Sequence, residues 1–406
     1  MKTDKIKRSA GKRGDKVRSD CFVEIELTRT GGIKSSVQSK VDSMYGESIN
    51  DLIIVMCNFF EIKHASIAVQ DFGALPFTLA ARFEAAYKKL RPDDSREFLP
   101  VMNKKNLYSS TKDKLRRSRL YLPGNEPKFY PNAGLHYPDG IILDLEDSVA
   151  PTEKDSARYL VRNALRSVDF YGSERMVRIN QIPKGLDDLK FIVPHNVHVI
   201  LIPKCESALT VKDVEEEVKM LCTELDIHNE IYFMPIIESA LGVVKAYEIA
   251  SASDKICALA VGLEDYTADL GVARTKEGKE SFVARCTIVN AAKAAGVQAI
   301  DTVFSDVDDT EGLRQSVVEA KSLGFEGKGC IHPRQIKVVH DTFAPSEKEI
   351  EKAKKIVLAF EEAKQKGIGV VALGSKMIDA PVVKRAQHII ELAIRNCLIN
   401  KNWDKE

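Results

Sequence analysis

Three groups of residues in this 406-residue chain have the types and spacing for chemistry on an oxygen-rich anion. Two apolar runs end in carboxylates, Pro235-Ile236-Ile237-Glu238 and Val261-Gly262-Leu263-Glu264-Asp265. Carboxylates closing successive buried strands suit Mg²⁺, a hard cation that takes few protein oxygens and leaves positions open for substrate. Asp265 is the expected ligand beside Glu238, with Glu264 orienting rather than coordinating, because neighbouring strand residues face opposite ways. Pairing with arginines or capping of the next helices is the structural alternative for these acids. A third run, Val177-Arg178-Ile179-Asn180, closes on an arginine whose planar fork holds a carboxylate or a developing oxyanion. Asp144-Leu145-Glu146-Asp147 adds three acids, too many for ligation alone, and some of them, Glu146 and Asp147 included, are expected to orient Arg178 and water around the metal. Arg117, just before the first run, suits a thioester carrier or a substrate carboxylate, and equally a helix-facing salt bridge.

These residues need a scaffold that gathers strand ends. Between Arg117 and Pro333 the apolar runs fall at 118–122, 140–145, 176–179, 197–202, 231–237, 258–263, 298–303 and 329–331. Most gaps carry helical spacing, at 154–165, 211–225, 241–252, 282–294 and 311–323. Continuous runs without alternation fit a parallel sheet covered by helices. Eight such units predict an α/β fold, a (β/α)8 TIM barrel with its chemistry at the C-terminal strand ends. A doubly wound open sheet competes, but no Gly-rich nucleotide turn follows any run. The barrel then spans 116–345, and 346–406 holds a charged helix over 346–365, a Gly- and Val-rich passage over 367–376 and a last helix opened by Met377-Ile378-Asp379-Ala380-Pro381. Cys205 and Cys330 lie near strand ends without a supporting motif, so no nucleophilic role is expected. Lys328, His332 and Gln335 surround the eighth run, with His332 read as a structural histidine.

The front of the chain, 21–90, reads as a small α+β unit: alternation over 22–27, helical spacing over 41–60, a strand over 66–69 and a helix over 77–90. A charged stretch, 91–115, reads as a linker, and 1–20 as a basic flexible tail, with a docking arm as the alternative. Lys and Arg number 60 against 59 Asp and Glu, so no global field favours nucleic acid. No apolar stretch approaches the roughly 20 residues that span a bilayer, and the start lacks the apolar core of a secretion signal. Eight cysteines without a Cys-x-x-Cys pair fit the reduced thiols of a cytoplasmic protein and argue against zinc.

Several segments carry a family resemblance. Arg117-x-Arg119-Leu120-x-x-Pro123-Gly124, Asp144-Leu145-Glu146-Asp147-Ser148-Val149, Val177-Arg178-Ile179-Asn180, Ile202-Pro203-Lys204, Ile237-Glu238-Ser239, Gly262-Leu263-Glu264-Asp265-Tyr266, Ala299-Ile300-Asp301-Thr302 and Gly327-Lys328-x-x-Ile331-His332-Pro333-x-Gln335 resemble the citrate lyase β-chain family in order. The resemblance implies a TIM barrel, Mg²⁺ on Glu238 and Asp265, and retro-Claisen cleavage of a thioester. Related malyl-CoA and citramalyl-CoA lyases share this barrel and a Gly-Lys-Met-Ile-Asp lid, whose aspartate reaches a neighbouring subunit's site as acid/base. Ser375-Lys376-Met377-Ile378-Asp379 is similar to that lid, which makes Asp379 the candidate. A lid acting in trans requires at least a dimer, and the resemblance implies a trimer or hexamer.

Val41-x-x-Met44-Tyr45-Gly46-x-x-Ile49 and Asp71-x-Gly73-Ala74-Leu75-x-Phe77-x-Leu79-x-Ala81-Arg82-x-Glu84 resemble the citrate lyase acyl carrier protein, so the chain looks like a carrier–lyase fusion. That carrier holds a phosphoribosyl-dephospho-CoA arm on a serine after an Ala-Gly pair, two residues before an aspartate. Here the stretch after Ala10-Gly11 is longer, and alignment on Asp20 puts Arg18 at that place. Ser19 is the candidate attachment residue, against loss of the arm; Ser9 falls too early.

The implied reaction is Mg²⁺-dependent cleavage of a citryl- or citramalyl-thioester to oxaloacetate or pyruvate and an acetyl-thioester. A 2-hydroxy acid chelating the cation gains an acidified hydroxyl, Arg178 steadies the enolate oxygen, and Asp379 moves the proton. The alternatives are a lyase of free CoA esters such as malyl-CoA, with a vestigial carrier unit, and a non-catalytic scaffold for a citrate lyase α-type acyl-transferase subunit.

Overall fold

Alternation over Cys21–Leu27 buries Cys21, Val23 and Ile25 on one face, and that face organises the front unit. The computed structural model describes residues 6–365, 371–373 and 376–404. Strands β1 (Lys7–Gly11), β2 (Cys21–Leu27), β3 (Ile33–Ser39) and β4 (Ala65–Asp71) form one sheet in the order β1-β2-β4-β3. Helices Asp42–Phe59 and Pro76–Lys88 flank it, and Ile53, Met56, Phe60 and Phe83 close the core. Two features depart from expectation. Residues 7–11 are not tail but an edge strand antiparallel to β2; Ala10 turns inward while Lys7 and Arg8 keep to solvent, as edge strands commonly do. Strand β3 was not anticipated because Ile33–Ser39 is mostly polar, with only a half-buried face.

The second unit is a closed barrel of parallel strands: β5 (Ser118–Pro123), β6 (Gly140–Asp144), β7 (Glu174–Arg178), β8 (Val199–Ile202), β9 (Tyr232–Ile237), β10 (Ala258–Val261), β11 (Gln298–Asp301) and β12 (Gly327–Cys330). The TIM barrel is thus as expected, with the eighth strand starting two residues earlier. Alternate residues fill two cores. Leu120, Ile141, Leu143, Val177, Ile200 and Leu259 face the outer helices, whereas Ile142, Met176, Leu201, Met234, Ile236 and Ala260 fill the barrel. Ser207 and Ser239 start the helices after β8 and β9 by accepting from the backbone N–H of Thr210 and Gly242.

Two buried arginines weld the units together, Arg82 through a carbonyl of the barrel and Arg162 through an ion pair. Arg82 bonds Asp20 at 2.9 and 2.8 Å and reaches the Asn125 carbonyl at 3.3 Å. Arg162, on helix Lys154–Ser167, bonds Glu84 at 2.5 and 3.2 Å. Residues 91–115 run against the barrel, where Asn106 Nδ2 donates to the carbonyls of Leu165 and Val168. Helices Glu347–Gln365 and Ala380–Arg395 pack on each other through Ala353, Ile356, Val383, Ala386 and Ile390, with strands β13 (Val371–Leu373) and β14 (Lys376–Ile378) between them in sequence. Residues 1–5 of the basic stretch, and 367–370, 374 and 375 of the Gly- and Val-rich passage, lie outside the described residues.

Candidate active site

Parallel strands put all their C-terminal ends at one rim, and seven charged side chains meet there. Arg178, last in β7, reaches across to Asp144, last in β6, with Nε–Oδ1 at 2.7 Å and Nη2–Oδ2 at 2.8 Å. Its Nη1 lies 3.1 Å from Glu146 and 3.5 Å from Asp147. The Tyr121 ring sits 5.5 Å from the guanidinium carbon. Burial would raise the Asp144 carboxyl, but the two bonds from Arg178 hold it below its usual range. Burial pushes Glu146 up, helped by its contact with Asp147, against the pull of Arg178.

Glu238 follows β9 and is buried. Its Oε1 accepts the backbone N–H of Lys204 at 2.6 Å. Burial pushes its carboxyl up to about 8; that one bond opposes the shift, and nearby Asp265 reinforces it. A Cβ at Gly262 would stand 2.4 Å from Glu238 Oε2, so a larger residue there would press on this carboxylate. The Lys204 ammonium spans the site, 3.1 Å from Glu146, 3.5 Å from Asp147 and 3.9 Å from Asp265. Asp144, Asp147, Arg178, Glu238 and Asp265 line a cavity of about 440 Å³ that also includes Arg119, Tyr121, Thr302 and Val303.

Asp265 reaches the mouth by another route than expected. Strand β10 stops at Val261, and Leu263–Leu270 is a helix whose first turn holds Glu264 and Asp265. Glu264 turns to Arg274, at 2.5 Å, while Asp265 stays with Lys204. Their divergence follows from helical, not strand, periodicity.

Arg117 is a correction. It precedes β5 and so lies at the opposite, N-terminal end of the barrel, where it bonds Asp139 at 2.8 Å twice and Asn396 once. Asp379 caps helix Ala380–Arg395, its Oδ1 accepting from Val382 N at 3.2 Å. Among the described residues no hydrogen bond or ion pair joins it to its own barrel mouth. Ser19 is half-buried with φ of 53°, and its N–H donates to the Phe72 carbonyl at 2.9 Å. Lys328 is buried against Asp301 at 2.7 Å, and His332 Nδ1 accepts from Arg334 N at 3.2 Å; both serve the fold. Burial raises the Cys205 and Cys330 thiols to about 12, so neither is a thiolate. Lys204 was not singled out as a site residue, although a lysine two positions beyond an apolar run was a visible sign.

Among the described residues no three His, Cys, Asp or Glu side chains cluster to hold a metal. A two-carboxylate site is nonetheless the kind Mg²⁺ uses, since it keeps several waters. The fit rests on Glu238, a buried carboxylate with one backbone donor and, among the described residues, no cationic side chain bonded to it.

A closed β/α barrel with acids and an arginine at its C-terminal rim defines a class of enzymes that handle oxygen-rich anions. Residues 117–333 match the HpcH/HpaI aldolase/citrate lyase family, and the chain belongs to it, a lyase by descent. Residues 13–90 match the acyl-carrier family described as malonate decarboxylase delta subunit. The citrate lyase subunit β of Leuconostoc mesenteroides subsp. cremoris is 44% identical over 71% of this chain and 96% of that protein. The human mitochondrial citramalyl-CoA lyase is 33% identical over 68% of this chain and 85% of that protein. CitE of Mycobacterium tuberculosis, solved with magnesium, acetoacetate and coenzyme A, superposes with a TM-score of 0.57 at 29% identity, covering 70% of this chain and 99% of that one. Among the described residues no helix is long and apolar enough to cross a membrane.

Proposed function

We propose that this chain is a Mg²⁺-dependent carbon–carbon lyase that cleaves a 2-hydroxyacyl thioester, citryl or citramalyl, into a 2-oxo acid and an acetyl-thioester. The observation that carries the reading is the buried Glu238 carboxyl within the fields of Asp265 and Arg178: two carboxyl groups that a divalent cation would ionise and hold together, next to a donor fork. Glu238 and Asp265 would hold Mg²⁺, which when bound acidifies a chelated hydroxyl. Magnesium in the solved relative from M. tuberculosis supports this assignment.

Arg178, steered by Asp144 and Glu146, donates to the thioester oxygen. The hydroxyl proton passes to the Asp379 carboxylate, the adjacent carbon–carbon bond breaks, and its electron pair becomes the thioester enolate while the carbinol carbon becomes the ketone. Arg178 is worth most at that moment, because charge gathers on the oxygen it faces. Asp379, brought by a second copy of the chain, returns a proton to the enolate carbon, giving the acetyl-thioester. The assembly is then at least a dimer, with trimer or hexamer the family arrangement.

Carrier-bound substrate is favoured by where the front unit docks. Asn125 and Glu126 belong to the loop after β5, at the chemical rim, and they bond Arg82 and Lys12 of the carrier-like unit. Ser19 is the neighbour of Asp20 in that joint and would bear the phosphoribosyl-dephospho-CoA arm, charged by an α-type acyl-transferase subunit in the cytoplasm. The free-CoA reading draws on Arg18 at the place of the arm-bearing serine, on the coenzyme A in the M. tuberculosis relative and on the likeness to a citramalyl-CoA lyase.

Turnover of citryl-, citramalyl- and malyl-CoA, with and without Mg²⁺, tests the reaction. Wild type should be active only with the metal, and Asp265→Ala inactive; equal rates without Mg²⁺ refute the assignment. Intact mass from the native host, with Ser19→Ala alongside, separates the two substrate forms.

A further inference from the structure

Arg119 is the second residue of β5 and points into the barrel, between the outward Ser118 and Leu120. Only 1% of it is exposed. Its Nη1 donates to the Met234 thioether at 2.9 Å, its Nη2 reaches the Asp301 carbonyl at 3.5 Å, and its Nε has no partner. A thioether is a weak acceptor, and 3.5 Å is a long bond. Among the described residues no carboxylate pairs with Arg119. The buried Arg82, Arg116, Arg162 and Arg285 and the partly exposed Arg178 each have one, respectively Asp20, Glu174, Glu84, Asp301 and Asp144, whereas Arg175, likewise buried without one, lies outside the candidate-site cavity and packs against Tyr108 and His198. Burial pulls the Arg119 guanidinium down from its usual basicity.

A cation buried without a counter-ion is costly and persists where something offsets it. The cavity shows what that is. Arg119 lines the same 440 Å³ space as Arg178, Glu238 and Asp265, beneath the rim. The inner positions of β12, the adjoining strand, are Gly327 and Gly329, so no side chain from it screens the guanidinium.

We propose that Arg119 is a specificity-determining residue: it receives a second, distal carboxylate on the acid half of the substrate. This rests on the lyase reading. With the hydroxyl and neighbouring carboxylate at the Glu238–Asp265 end, the remaining substituent of the same carbon points down the barrel to Arg119. A carboxymethyl group there gains a charged, bidentate partner, and a methyl group leaves the guanidinium stranded. The 2-oxo acid released is therefore a dicarboxylate of the oxaloacetate type rather than pyruvate.

Calorimetric binding of oxaloacetate and of pyruvate to the full chain, with Mg²⁺ present, tests this. Wild type should bind oxaloacetate at least about tenfold more tightly. Arg119→Met should erase that advantage and leave pyruvate within about twofold, with a melting temperature no lower than wild type, because a stranded charge has been removed. Arg119→Gln serves as the second variant. Equal wild-type affinities, or a loss shared by both acids together with a lower melting temperature, would make Arg119 structural and overturn the assignment. If neither acid binds wild type, the lyase reading falls and this inference with it. If pyruvate binds as well as oxaloacetate, only the inference falls.

Discussion

Arg178 and Asp144 close on each other through two nearly equal bonds, 2.7 and 2.8 Å, across adjacent barrel strands. Such a fork fixes the plane of the guanidinium, so the third nitrogen, Nη1, is left to face Glu146 and the cavity. Asp144 is itself held by the N–H groups of Glu146 and Ser148 and by the Ser148 hydroxyl. The pair is a positioning device for an oxyanion donor.

Asp144→Asn should keep the shape but remove the charge. Arg178 retains Glu146, so the expected loss of stability is about 1–3 kcal/mol rather than that of a fully stranded charge. Turnover should fall on the order of 10²-fold, as expected when a catalytic donor drifts by about 1 Å. Denaturant melts and kcat check both figures, and a Mg²⁺-induced rise in melting temperature should survive. A variant that keeps wild-type kcat would show that Arg178 needs no such guide.

Gly262 offers a test of the metal site that leaves both carboxylates in place. In Gly262→Ala the new methyl must displace Glu238 Oε2 or shift the backbone, since it would stand 2.4 Å away. The overpacking should cost about 1–3 kcal/mol. Thermal melts with increasing Mg²⁺ should show a clear shift for wild type and little or none for this variant. An equal shift in both proteins would remove Glu238 from the ligand set.

His198 gives the fold an acid limit. It is buried at the N-terminal end of the barrel, its Nδ1 accepting from Arg175 N at 3.2 Å and its Nε2 donating to the Tyr108 carbonyl at 2.9 Å. Burial, reinforced by Arg175, pulls its pKa from 6.5 to about 3. Between those values the unfolded chain binds more protons, so stability is complete above 6.5 and falls as the pH drops toward 3, by about 1.4 kcal/mol per unit. His198→Gln should flatten that limb in urea melts taken at several pH values. An unchanged slope would mean the ring is protonated in the native state.

The barrel was legible because parallel strands buried on both faces leave unbroken apolar runs, and β6, β8, β9 and β10 are buried throughout. Glu238, Arg178 and the acids after β6 could be found because polar residues at the ends of such runs land on one rim. Arg117 went to the wrong end: it stands before β5, and strand polarity alone sends it to the N-terminal face. Arg119 went unassigned because within Ser118–Pro123 only the inward or outward parity separates it from a surface arginine. Strand β1 was hidden by its own lysine and arginine, since a charged edge reads as solvated chain.

The helix that Asp379 caps is anchored far from the chemistry of its own chain. Its last residue, Arg395, bonds the Asp113 carbonyl and the next, Asn396, bonds Arg117, both at the N-terminal end of the barrel. Sixteen helical residues span about 24 Å, and Asp379 stands at the start of that helix. Under the proposed function Asp379 acts in a neighbouring copy of the chain. Asp379→Asn should lower kcat by about 10²-fold or more with little change in KM. An Arg178→Ala chain should be inactive alone for a different reason. Mixed and allowed to exchange subunits, the two inactive proteins should regain measurable turnover, because some sites then combine an intact Arg178 with an intact Asp379. Activity that stays at the level of the separate variants, with subunit exchange verified by mass, would place the acid elsewhere.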